Sequence, residues 1–135
     1  MLAAELERLG DAPVVLAHSL GCLLWLRHAS RAAGRLAVRV LLVAPPAIAS
    51  VPAVVRFAEP EPEPDPERVR AACPDTRIVC SDDDPYNPAG ALATHARPLG
   101  LPADLIPGAG HLNVDAGYGP WPAAERWALA GGTLG

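Results

Sequence analysis

Lysine is absent: all 11 basic residues are arginine, against 15 acidic ones. The net charge of −4 argues against nucleic acid as the main partner. With alanine and proline abundant, the missing lysine reads as GC-rich coding bias rather than as a functional feature. No run of roughly 18 apolar residues occurs, which excludes a membrane-spanning helix. Met1 to Arg8 hold no basic segment followed by an apolar one, so they are not a secretory signal. Cysteine is scarce and odd in number: Cys22, Cys73 and Cys80, without metal-ligand spacing. The three are expected as buried small hydrophobes in a reducing, cytoplasmic setting, with no disulfide, metal or cofactor. Aromatics, at 4%, say little about a pocket.

What is present bounds the fold. A chain of 135 residues, half of them hydrophobic, is enough for one domain with one core. Leu2, Leu6 and Leu9 give residues 2–9 a helical period. An apolar run, Pro13 to Ala17, reads as a strand and stops at His18-Ser19, after which 20–33 read as a helix with Gly34 as its C-cap. Residues 36–44 are nearly all apolar in their middle, as in a strand buried on both faces, and Pro45-Pro46 stops them. In 59–67 acid and proline alternate, which neither helix nor sheet interior accepts; an exposed, extended connector is expected. A short helix at 66–72, a strand at 76–80, a helix at 89–97 ending before Pro98, a weak strand at 103–107 and a helix at 122–130 complete the chain. Strands alternating with helices predict an α/β fold, an open parallel sheet with helices on both faces. Ligands of such sheets sit beyond the carboxyl ends of the strands.

Three polar candidates follow strand ends. Ala17-His18-Ser19-Leu20-Gly21 has the small-x-Ser-x-Gly spacing of a nucleophile elbow, with alanine in the first glycine position. A strand-to-helix turn with a capping serine would have the same local pattern. Asp82, Asp83 and Asp84 follow the third strand, and His111 follows the fourth in Gly108-Ala109-Gly110-His111. A serine hydroxyl needs a base to take its proton, and that base needs an acid to fix its tautomer. The order Ser, Asp, His is that of α/β-hydrolases. Asp84 is the preferred acid because Pro85 restricts its backbone. The aspartate triplet lacks the alternate spacing and glycine of a calcium loop. Alternation turns His18 away from Ser19, as a packing or hydrogen-bonding residue, while His28 and His95 fall on helices and are expected at the surface.

Together, Ala-His-Ser-Leu-Gly-Cys, Ser-Asp-Asp-Asp-Pro-Tyr, Gly-His-Leu-Asn and the stretch Gly117-Tyr118-Gly119-Pro120-Trp121-Pro122 resemble the small serine hydrolases related to YdeN and retinoblastoma-binding protein 9. The last stretch is specific to the bacterial YdeN-like branch. The resemblance implies a compact α/β-hydrolase that acts on small esters or related acyl compounds, with Ser19 as nucleophile, Asp84 as acid and His111 as base. It implies the Leu20 N–H as one oxyanion donor. Members of that family open with a strand, a glycine-containing loop, a helix and a second strand before the helix that matches residues 2–9. Those elements are missing here, and with them the loop that gives the second oxyanion donor. Their first strand would pair beside the Ser19 strand, so 14–16 should form an exposed apolar edge. Two expectations follow: the protein starts upstream of Met1, or the edge is covered by another chain, as in a homodimer. An active hydrolase and an inactive remnant that binds or dimerises through this edge both stay open.

Overall fold

The computed structural model describes residues 2–10, 13–57 and 60–134. Met1 and Glu59, the chain start and the first residue of the acidic connector read above, lie outside the described residues, as does Asp11, which with Gly10 is read as the end of the first helix. Four strands, β1 (Val14–His18), β2 (Arg39–Val43), β3 (Thr76–Cys80) and β4 (Ala103–Leu105), form one sheet in the order β1-β2-β3-β4. All neighbours are parallel, with Val15 opposite Val40, Leu42 opposite Ile78 and Val79 opposite Asp104. The α/β class and the parallel sheet are as expected.

The period of two sorts the apolar residues of β2 and β3 to opposite faces. Val40, Leu42 and Ile78 pack on one side with Trp25 and Leu26 of α2 (Leu20–Ala29), Val69 of α3 (Pro66–Ala72) and Leu6 of α1 (Leu2–Leu9). Leu41, Val43 and Val79 pack on the other with Trp127 of α5 (Pro122–Ala130). Helices therefore cover both faces. Burial raises the pKa of Cys22, Cys73 and Cys80, all three buried and unpaired, so each stays a neutral thiol.

Several boundaries differ from the sequence expectation. Helix α2 stops at Ala29, well short of Gly34, because Ser30 caps it: its hydroxyl donates to the Leu26 carbonyl at 2.7 Å and accepts from the Asp65 N–H at 3.0 Å. Strand β2 is five residues long, since the chain reaches the sheet only at Arg39. The helix expected to end before Pro98 runs through it, as a π-helical segment (Leu92–Ala96) joined to the short α4 (Arg97–Leu99). The wider turn tolerates a residue with no N–H to donate. His95 on this segment is buried, not at the surface; its Nε2–H donates to the Pro46 carbonyl at 2.9 Å, and burial lowers its pKa. His28 is half-buried.

Residues 60–65 of the acidic proline-rich stretch are irregular and mostly exposed, as expected, but they are tied down. Pro66 and Glu67 belong to α3, with Asp65 as its N-cap. Glu61, whose side chain is 9% exposed, pairs with Arg27 of α2 at 3.1 Å. Residues 60–65 thus form a strap laid across α2.

Among the described residues β1 has a partner on one side only. Leu16 is 50% exposed and Val14 36%. The expected apolar edge is present.

Candidate active site

The carboxyl ends of β1, β2 and β3 are laced together before any side chain acts. The Ser19 N–H donates to the Val43 carbonyl and the Ala44 N–H to that of Val79, each at 2.9 Å. Among the described residues, three non-glycines have positive φ: Ser19 (55°), Ala44 (49°) and Leu112 (52°). Two directly follow strands and the third directly follows His111, so the strain gathers at one edge. Strain of about 1–3 kcal/mol per residue persists only where the surroundings over-determine it, and it clusters at functional sites.

Ser19 is the apex of a sharp turn between β1 and α2, with φ 55° and ψ −121° and no capping bond from its side chain. That leaves the capping-serine reading without support. A Cβ on Gly21 would meet the Ala17 Cβ at 3.7 Å, an ordinary contact. The close passage of strand and helix therefore admits alanine at 17 as readily as glycine. Leu20 opens α2, so its N–H is one of the first-turn donors that a helix leaves unpaired.

The structure brings Ser19, His111 and Asp84 into one chain of hydrogen bonds. His111 Nε2 lies 2.8 Å from Ser19 Oγ, and His111 Nδ1 lies 2.9 Å from Asp84 Oδ2 and 3.0 Å from Oδ1. Asp84 and His111 are buried. With the carboxylate accepting from Nδ1–H, the bare Nε2 faces the hydroxyl, the tautomer in which a hydroxyl proton can pass to the ring.

The two neighbouring aspartates hold the loop that carries His111. Asp82 Oδ1 accepts from the Gly108 N–H at 2.8 Å and Asp83 Oδ1 from the Gly110 N–H at 2.7 Å. Ser81 Oγ donates to the Gly110 carbonyl. Gly108 and Gly110 both have positive φ, which explains glycine at these positions. Four consecutive residues after β3 thus hold Gly108, Gly110 and His111 in the loop that follows β4, and of the four Asp84 alone reaches the imidazole.

Two contacts lay beyond the sequence reading. The Tyr86 ring, on a residue 50% exposed, packs 4.5 Å from that of His111 between centroids. Its place two residues after the acid, in a turn closed by its own N–H on Asp84 Oδ1, is the signal that could have pointed to it. His18, assigned to the far side, has the expected hydrogen-bonding role but not the expected distance from the site. Its Nε2–H donates to the His111 carbonyl at 2.8 Å, and its ring lies 4.8 Å from the His111 ring. Alternation gives the direction of a strand side chain, not what a distant loop brings to it. Tyr118 and Trp121 stack edge to face at 5.2 Å and pack on the core beside Leu112, which makes their motif a support of the His111 loop.

The family model described as serine hydrolase matches residues 1–128. The ydeN gene product of B. subtilis has a similar structure, with a TM-score of 0.78 and 20% identity over 96% of this chain and 70% of that one. A protein described as a YdeN-like hydrolase, from Pectobacterium atrosepticum, has a TM-score of 0.67 and 22% identity over 98% of this chain and 66% of that one. No curated protein sequence matches the chain. At these identities the structural likeness concerns the fold.

Proposed function

The chain belongs to the serine hydrolase family, and from that premise we propose that it cleaves a small ester or related acyl substrate through an acyl-enzyme on Ser19. The observation that carries this reading is the unbroken bond path from Ser19 Oγ through His111 to Asp84. Ser19 Oγ attacks the carbonyl carbon while its proton passes to His111 Nε2. The new oxyanion faces the Leu20 N–H at the start of α2. Asp84 keeps Nδ1 protonated and stabilises the imidazolium. Collapse breaks the ester bond, and the leaving alcohol takes the proton from His111. Water then gives a proton to His111 and attacks the acyl carbon; the acid leaves and Ser19 regains its proton.

The test is covalent labelling by a fluorophosphonate. A single adduct on Ser19, absent in Ser19→Ala, is the expected result. A folded protein that takes no label overturns the reading.

A second reading has the open edge of β1 behind it: a binding or dimerising module without turnover. It requires a stable dimer in sedimentation velocity that Leu16→Lys converts to monomer, because a buried lysine opposes edge-to-edge pairing. A wild-type monomer that turns over esters rules it out.

A further inference from the structure

A cavity of about 620 Å³ lies between α2, the 60–65 strap and the π-helical segment. One end is walled by Leu23, one helical turn beyond Ser19, and by Ile48, a few residues beyond the end of β2. From there it follows α2 to Ser30, roughly 10 Å at 1.5 Å per residue. Ala47, also in the wall, is tied toward Ser19 and His111, since its N–H donates to the carbonyl of Tyr86, whose ring packs on that of His111. The strap is fastened over the cavity twice, by Glu61 on Arg27 and by the Asp65 N–H on Ser30 Oγ.

Apart from Arg31 and Glu63, which are opposite in charge, the polar groups of the walls are committed to the protein. Arg27 is taken by Glu61. Ser30 Oγ both donates and accepts, and so does Thr94 Oγ1, to the Gly90 carbonyl and from Asn87. The His95 Nε2–H is taken by the Pro46 carbonyl. An anionic ligand would meet Glu61 and Glu63, and a cationic one Arg27 and Arg31. Most of what the walls offer a ligand is the apolar surface of Leu23, Leu26, Ile48, Leu99 and the prolines of the strap.

Resting on the hydrolase reading above, we propose that this cavity receives the acyl chain of the substrate, an uncharged linear chain of medium length that runs from Ser19 along α2 beneath the strap. The enzyme would then be selective for medium-chain acyl esters over acetyl esters, and the strap would be the roof of its acyl pocket.

The test compares kcat/KM for p-nitrophenyl octanoate and p-nitrophenyl acetate. Each methylene buried gives about a fourfold preference, so burial of only two of the six extra methylenes already puts the octanoate-to-acetate ratio above about tenfold in the intact protein. Ile48→Trp fills the cavity from its mouth, and Pro64→Trp fills it from the strap. Each should lower the ratio by about tenfold or more. The second variant serves if the first fails to fold, as judged by circular dichroism. A ratio near one in the intact protein, or one unmoved in both folded variants while fluorophosphonate still labels Ser19, overturns this inference and leaves the hydrolase reading standing. A folded intact protein that takes no label and cleaves neither ester overturns both.

Discussion

Replacing Ser19 by alanine is expected to lower kcat on a small ester by about 10⁶-fold, because it removes the atom on which the proposed acyl-enzyme forms. His111 would keep its bond to Asp84 but would face a methyl group instead of the hydroxyl at 2.8 Å. Binding and the Leu20 donor would survive, and in serine hydrolases such remnants retain about 10³–10⁴ over the reaction in water. The fold should be unaffected. The Ser19 side chain makes no capping bond, and its backbone anchor, N–H to the Val43 carbonyl, does not involve the hydroxyl. Equal melting temperatures with a collapsed kcat are the expected pair of measurements. A loss smaller than about tenfold would mean that ester is cleaved elsewhere on the surface, and the acyl-enzyme reading would fall.

Asp84→Asn should cost about 10⁴-fold in kcat while sparing the structure. An asparagine oxygen can still accept from the Tyr86 N–H, now at 2.9 Å, so the turn that follows β3 keeps its closure. Toward His111, however, the carboxamide can offer an N–H. That favours the tautomer with a bare Nδ1 and a protonated Nε2, which no longer accepts the Ser19 proton. Asp82→Asn and Asp83→Asn are the internal comparison. Each side chain accepts from a backbone N–H, of Gly108 and Gly110, and an amide oxygen can do the same. Losses below about tenfold are expected for these two, as for an uncharged acceptor that replaces a charged one. Steady-state kinetics on the three purified variants decides it. Equal losses at all three positions would assign the run a purely structural role and remove Asp84 from the triad.

Much of the site was legible because its signals are local. The end of β1 is marked by an apolar run that stops at His18-Ser19, and the elbow by small residues around Ser19. The Gly108-Ala109-Gly110 turn announces itself through residues that tolerate positive φ. Strand ends of a parallel sheet share an edge by topology, so order along the chain sufficed to bring Ser19, Asp84 and His111 within reach of one another. The residues that stayed hidden are those whose partners are far away in sequence. Ser30 ends α2 with help from Asp65, His95 is buried by a carbonyl of Pro46, and His18 is drawn to the site by the carbonyl of His111.

By itself the sequence determined the α/β class, the positions of the four strands and the residue types at their ends, because periodicity, proline and glycine act over a few residues. Tertiary structure alone decided where helices stop, which histidines are buried and that the exposed acidic, proline-rich stretch is fastened over a cavity. The physical reason is that a buried polar group must find a partner, and the nearest one in space is seldom the nearest one in the chain.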